Sequence, residues 1–196
     1  MADSKPKTKT VYKGATPAGI LTYAWLDKRD ASEFGKNKFK CSLRLKKGEG
    51  KNDEYARMLI DLHKAAKGKR DTAPVKDGDA LAEDNEKKEN MRGFWLLSAK
   101  TNNKPEQMDS KKNPLGATAK SGDWGKLSIG AAEYDTGANK GITLYLNKVQ
   151  LLERRANDDD GFEEEDDYEA DTKKAPLRDS DEDGDGGDEG GSDDDF

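Results

Sequence analysis

Alternating apolar and polar positions predict five short β-strands, and the clearest of them spans residues 38–46. One set of its positions is apolar: Phe39, Cys41, Leu43 and Leu45. The other set is polar and mostly basic: Lys38, Lys40, Ser42, Arg44 and Lys46. Because successive side chains point to opposite faces of a strand, the pattern predicts one buried face and one strongly basic face.

Similar apolar and aromatic runs predict the other four strands, over residues 20–26, 93–100, 124–134 and 142–152. In the last strand Leu146 and Val149 have opposite parity, which predicts a bulge near Asn147 and Lys148. Residues 135–141 are rich in residues that accept positive φ, so they predict a hairpin turn. Residues 69–92 and 101–125 lack periodicity and are predicted to be loops, the first of them weakly ordered.

One helix is predicted between the second and third strands, from Asn52 or Asp53 to about Lys67. Its core stripe consists of positions at helical spacing: Tyr55, Met58, Leu59, Leu62 and Ala66. His63 borders this stripe and is predicted to be a surface or boundary residue without a functional role.

These elements predict a mainly β fold with long loops, and a five-stranded OB-fold barrel is the candidate architecture. The helix of an OB-fold usually lies between strands three and four, whereas the predicted helix follows strand two. The pattern alone therefore leaves the topology open.

Charge divides the chain into unlike parts, although the 35 Lys and Arg and 41 Asp and Glu give a net charge of only −6. Residues 157–196 contain 20 acidic and three basic residues, a net −17, which leaves 32 basic and 21 acidic residues, a net +11, in the preceding body. Three regions are predicted: a flexible arm over residues 1–10, an OB-fold domain over 11–156 and a disordered acidic tail over 157–196.

Composition argues against several functional classes. One Cys and one His cannot supply a structural zinc site or an intramolecular disulfide, and Cys41 has the parity of a core residue. No cofactor is predicted, and the absence of a Ser/His/Asp set or phosphate-loop motif predicts a protein that is not an enzyme. A metal nuclease that uses Asp123, Glu133 and Asp135 stays open, although these residues lie in turns without a clustering signal.

Neither a membrane span nor a calcium loop is predicted. No apolar run is longer than that from Phe94 to Leu97, and the first ten residues lack the apolar stretch of a signal peptide, so a cytoplasmic location is expected. Four tail residues match part of a calcium loop: Asp179, Asp181, Asp183 and Gly184. Its twelfth position is Gly190 rather than Glu, so this site is rejected.

A basic face interleaved with aromatic residues is the pattern of proteins that bind single strands without reading sequence. On the strand over 38–46 the basic residues are spaced about 6–7 Å apart wherever they occupy alternate positions. The candidate nucleic-acid-binding residues are Lys38, Lys40, Arg44, Lys46, Trp95, Lys100, Trp124, Lys126, Tyr134, Lys140, Tyr145 and Lys148. In the tail, an aromatic residue beside its own carboxylate suits a pocket with a basic rim, so Asp193, Asp194, Asp195 and Phe196 are candidate partner-binding residues.

Two blocks of sequence resemble the phage-encoded single-stranded DNA-binding proteins of OB-fold type. One block runs from Arg92 to Lys100, and the other comprises Gly125–Leu127, Tyr134–Ile142 and Leu146–Leu151. An acidic tail ending in Phe196 adds to the resemblance. The resemblance implies a barrel with a helix after the second β-strand. It also implies a protein that coats single-stranded DNA during replication or recombination in the host cytoplasm.

The resemblance also implies roles for individual residues. Tyr134 and Lys140 lie at the turn that lines the groove. The tail occupies the groove when DNA is absent, and Phe196 recruits a replication enzyme such as a polymerase, helicase or primase. A homodimer is a further expectation. Two alternatives stay open: a binder of duplex DNA or RNA that uses the same basic face, and an acidic-tailed chaperone of basic proteins.

Overall fold

The computed structural model describes residues 9–33 and 35–155, which form a mainly β domain. Eight strands lie in this part of the chain: β1 Lys9–Ala15, β2 Gly19–Asp30, β3 Lys38–Lys46, β4 Val75–Asp77, β5 Phe94–Thr101, β6 Glu106–Met108, β7 Trp124–Asp135 and β8 Lys140–Glu153. The same residues contain two α-helices, α1 Gly50–Ala65 and α2 Gly78–Asp84, and two short 3₁₀ helices, Arg70–Thr72 and Glu86–Met91. The predicted tail and residues 1–8 of the predicted arm lie outside the described residues.

Five strands pair in a closed ring, in the order β2, β3, β5, β8, β7 and back to β2. All neighbours are antiparallel except β5 and β8, which are parallel and pair at Lys100 and Tyr145. The remaining three strands each pair with one strand of the ring: β1 with β7, β4 with β5 and β6 with β8. The ring strands are the five predicted from the sequence, and α1 follows the second of them. The predicted mainly β class is confirmed, and the arrangement is consistent with an OB-like fold.

The inner face of the ring is the hydrophobic core. On β3, Cys41, Leu43 and Leu45 are completely buried, as the alternation predicted. Burial raises the pKa of the Cys41 thiol to about 12, which confirms a core residue rather than a reactive one. The bulge on β8 is also confirmed, since Ser128 pairs with Lys148 and Ile129 with Leu146, which leaves Asn147 as the extra residue.

Helix α1 begins before its predicted start and buries a different stripe, which comprises Asn52, Ala56, Leu59 and His63. Asn52 does not cap the helix but lies within its first turn. Its Nδ2 donates to the Lys46 carbonyl at 3.0 Å and to Glu49 Oε2 at 2.8 Å, so it joins the helix to the end of β3. The predicted stripe also packs against the core: Leu59 is fully buried, and the other four are half-buried against it, namely Tyr55, Met58, Leu62 and Ala66.

His63 is a buried structural residue, so its predicted surface or boundary position is corrected. The side chain is 3% exposed. Its Nδ1 accepts the Ile142 N–H at 3.1 Å, and its Nε2 therefore carries the proton and donates to the Lys69 carbonyl at 2.8 Å. The ring thus fastens the end of α1 to the start of β8.

Residues 69–92 contain β4, α2 and both 3₁₀ helices, so the prediction of a loop was wrong. Their contacts come from distant sequence: β4 pairs with β5, and the Lys47 ammonium bridges Asp77 and Asp79. Local periodicity cannot show such contacts. Strands β1 and β6 were also missed: β1 includes Lys9 and Thr10 of the predicted arm, and β6 lies within the predicted loop over 101–125. No helix within 9–33 and 35–155 is long and apolar enough to cross a membrane.

Candidate nucleic-acid interface

The basic face of β3 continues across its neighbour β5. Lys40 lies opposite Lys100, and Ser42 lies opposite Ser98 with their hydroxyl oxygens 2.9 Å apart. Directly opposite residues share one face of a sheet, so these four side chains stand together on the outside of the ring. The two strands therefore present a surface with lysines at one end and hydroxyls beside them.

A groove of about 620 Å³ lies over this surface, and we call it the main groove. Its floor comes from β3 and β5. One wall is the loop between β2 and β3, which carries Lys36; another is the hairpin between β7 and β8, which carries Tyr134 and Thr136. Thr72, Pro74 and residues 142–144 of β8 also line it. In OB-folds, the corresponding strands and loops bind oligonucleotides.

Three lysines, Lys36, Lys40 and Lys100, line the main groove. The pKa of Lys100 is lowered because its ammonium is partly desolvated, although the residue as a whole is exposed, and because Lys38 and Lys36 are nearby. Burial and the neighbouring cations thus both disfavour the charged form of Lys100, whereas the charge of Lys40 is balanced by Asp30.

Asp30 holds the Lys40 side chain of the main groove in place. Its side chain is 2% exposed and forms an ion pair with Lys40. One carboxylate oxygen also accepts the Ser32 N–H at 3.0 Å, and the hydrogen bonds from Lys40 and Ser32 hold the pKa of Asp30 at about 2. Gly35 lies so close to Asp30 that a Cβ there would be only 2.2 Å from the carboxyl carbon. Asp30 thereby fixes both Lys40 and the loop that carries Lys36.

Aromatic side chains lie in and beside the main groove. Tyr134 lines it, and Tyr145, which pairs with Lys100, is 41% exposed. Two aromatic residues of β2 extend this surface although they were not among the predicted site residues. Trp25 pairs with Lys40, and Tyr23 is 47% exposed.

Lys36, Tyr23 and Trp25 were missed for a local structural reason. The register of β2 shifts between Thr22 and Trp25, and Tyr23 adopts a left-handed backbone with φ of 48°. The regular alternation of inner and outer side chains is therefore interrupted in this part of the strand. Lys36 lies in a loop, where periodicity gives no signal. The only available signal was the number of basic residues that flank the strand over 38–46.

The other predicted residues of β3 lie on the same outer face but outside the main groove. Lys38 and Lys46 occupy the two ends of the strand. The Arg44 guanidinium is 5.4 Å from the Phe94 ring centre, and its Nη1 donates to the Asn90 carbonyl at 2.8 Å. Burial lowers the pKa of Arg44, partly offset by nearby Tyr23. Arg44 is thus partly covered by the segment before β5.

Five further predicted residues do not line the main groove. Trp95 has the inner-face parity of β5, and its Nε1 donates to Asp53 Oδ1 at 2.8 Å. Trp124 lies ten residues before Tyr134, which is about 30 Å along β7. Its ring centre is 4.8 Å from the Arg155 guanidinium carbon. The others are cations away from the groove: Lys126 opposite Gln150, Lys148 paired with Glu106 at 2.6 Å, and Lys140 paired with Asp135 at 2.7 Å.

The carboxylates considered for a metal nuclease do not converge. Asp123 is buried and accepts the Lys120 N–H at 2.8 Å, whereas Asp135 is occupied by Lys140. Within the two described ranges, no group of three or more His, Cys, Asp or Glu side chains could hold a metal ion.

Comparisons with known proteins agree with this geometry. The family model of the single-stranded DNA-binding protein of Enterobacter phage Enc34 matches residues 31–183. No curated protein matches the sequence. The solved structure of the bacteriophage Enc34 single-stranded DNA-binding protein with a C-terminal truncation has a TM-score of 0.59 at 18% identity, over 76% of this chain and 96% of that one.

Two further solved structures share the fold. The complex of the bacteriophage Enc34 protein with single-stranded DNA has a TM-score of 0.54 at 18% identity, over 77% of this chain and 97% of that one. The single-stranded DNA-binding protein gp2.5 of bacteriophage T7 has a TM-score of 0.52 at 16% identity, over 78% of this chain and 98% of that one.

Proposed function

Because the chain belongs to the family of the Enterobacter phage Enc34 single-stranded DNA-binding protein, we propose that it binds single-stranded DNA in the main groove without reading its sequence. One observation carries the proposal: the groove joins three ammonium groups with the ring of Tyr134. Cations that follow a backbone, combined with aromatic rings on which bases stack, are the two elements of single-strand recognition.

In this proposal each part of the groove has a role. Lys36, Lys40 and Lys100 neutralise phosphates, and the rings of Tyr134 and Tyr145 stack on bases. Ser42 and Ser98 line the groove, where the exposed Ser98 hydroxyl is bonded to that of the buried Ser42 and can donate or accept a further hydrogen bond. A hydroxyl does not discriminate between the donor and acceptor groups of different bases. Binding to many sequences follows from this surface.

Fluorescence anisotropy with labelled oligo-dT and a matched duplex tests the proposal. We expect the full-length protein to prefer the single strand, because the bases of a duplex are stacked on each other and cannot stack on aromatic side chains. Binding of the single strand should quench the aromatic fluorescence of the protein. Raising the salt concentration should weaken binding, because neutralised phosphates release counterions. Equal affinity for the duplex would favour a binder of duplex DNA, and no binding to either would favour the acidic-tailed chaperone.

We further propose a role in phage DNA replication or recombination in the host cytoplasm, in which the tail over residues 157–196 competes with DNA and Phe196 contacts a replication enzyme. The charge supports competition, because a tail of −17 is tethered to a body of +11. A flexible tether holds such a segment at an effective concentration on the order of millimolar.

Deletion of residues 157–196 should tighten binding to oligo-dT about two- to tenfold at low salt, given that tethered concentration. The gain should shrink as salt screens the attraction between tail and groove. Anisotropy titrations of the full chain and of residues 1–156, at low and moderate salt, measure both effects. A tail of the same length with Asp and Glu replaced by Asn and Gln is the matched control. Unchanged affinity at low salt would contradict a competing tail.

A further inference from the structure

A second groove of about 320 Å³ lies beside the hairpin between β7 and β8, and we call it the side groove. It is bounded by the start of β1, the end of α1 and the two strands of the hairpin. Tyr134 lines both the main groove and the side groove. The two grooves therefore share Tyr134, which is also the residue whose ring is proposed to stack on a base.

Three lysines line the side groove: Lys9 of β1, Lys67 after α1, and Lys140 of β8. Two carboxylates accompany them, but they do not neutralise all three. Asp135 is paired with Lys140 at 2.7 Å. Glu133 is the register partner of Lys9, yet neither Lys9 nor Lys67 forms an ion pair within the described part of the chain. Two ammonium groups are thus available to a ligand.

Backbone geometry holds Lys67 at this place. The residue has a left-handed φ of 58° immediately after the end of α1, and its N–H is bonded to the Lys64 carbonyl at 2.8 Å. His63, which is fastened to both Ile142 and Lys69, keeps this turn beside the hairpin. The backbone of Lys67 is therefore held in place by hydrogen bonds of the turn and of His63.

We propose that the bound DNA strand continues over Tyr134 into the side groove, where Lys9 and Lys67 contact its phosphates. This inference rests on the function proposed for the main groove. A strand whose base stacks on Tyr134 has its next phosphates at the edge of that ring, where the side groove begins. The side groove thus extends the footprint, and its lysines act only on strands long enough to enter it.

The test compares strands of different length on the full-length protein. The probes are the shortest oligo-dT that the parent binds and an oligo-dT of about 16 nucleotides, the upper range for one OB-fold. In the variant K9Q/K67Q we expect the affinity for the longer strand to fall about five- to 25-fold at 0.1 M salt. The slope of log affinity against log salt should fall by about 0.7–1.4, which corresponds to one or two lost phosphate contacts. Affinity for the shortest strand should stay unchanged.

The variant K13Q/K51Q is the matched control, because both of its sites are exposed lysines of β1 and α1 that line neither groove. It should bind both strands like the parent, and K9E/K67E should lose more affinity for the longer strand than K9Q/K67Q. An unchanged affinity of K9Q/K67Q for the longer strand, or an equal loss on both strands, would overturn the extended path. Failure of the parent to bind any strand would instead remove the proposed function itself.

Discussion

Replacement of Lys36 and Lys100 by glutamine is expected to weaken binding of oligo-dT about 25-fold at 0.1 M salt. Each phosphate contact on a single strand contributes about 0.7 to the slope of log affinity against log salt, so two contacts contribute about 1.4. Relative to binding at 1 M salt, a change of 1.4 in that slope lowers the affinity at 0.1 M salt by a factor of about 25. Anisotropy titrations of K36Q/K100Q across a salt series measure both the affinity and the slope.

The choice of these two lysines avoids damage to the fold. Lys40 also lines the groove, but its removal would leave the buried Asp30 carboxylate without its ion-pair partner. Lys36 and Lys100 form no ion pair within the described residues. A control variant, K51Q/K111Q, removes two exposed lysines that do not line the main groove. If it weakens binding as much as K36Q/K100Q does, the effect comes from net charge and not from the groove.

Tyr134→Ala is expected to weaken binding about five- to 150-fold, because the stacking of one base on an aromatic ring contributes about 1–3 kcal/mol. Tyr134→Phe retains the ring and should keep most of the affinity. The salt slope should stay unchanged in both variants, since no phosphate contact is removed. Loss of the ring therefore differs from loss of a lysine in a quantity that the same titration measures.

Thermal denaturation of both tyrosine variants separates stacking from folding, since Tyr134 also lies in β7 opposite Gly141. A Tyr134→Ala protein that melts like the parent but binds oligo-dT with parental affinity would exclude this ring as a stacking site. Tyr145, which is exposed beside Lys100, would then be the next candidate.

Much of the ring was predictable because its signals are local. The strand over 38–46 has the predicted ends, since its alternation is unbroken and Gly48 and Gly50 follow it. The bulge at Asn147 was visible as a change of parity between Leu146 and Val149. By contrast, residues 69–92 are held by distant partners such as Lys47 and β5, so their helices and strand had no periodic signal.

The candidate site was predictable only as a set of residue types. Lys40, Lys100 and Tyr134 were among the predicted residues and line one groove, whereas Trp95 and Trp124 were equally plausible by composition and lie elsewhere. The distinction depends on strand register. Lys40 meets Lys100 through antiparallel pairing of β3 with β5, and Tyr145 joins them through a parallel contact.

The sequence by itself determined the alternating strands, the basic face of residues 38–46, the hairpin over 135–141, and the contrast between a +11 body and a −17 tail. Each of these depends on neighbouring residues or on simple counting. The tertiary structure alone decided that Lys36 and Tyr134 line the same groove and that Tyr134 also borders a second one. These residues are nearly a hundred positions apart, and only the closure of the ring brings their loops together.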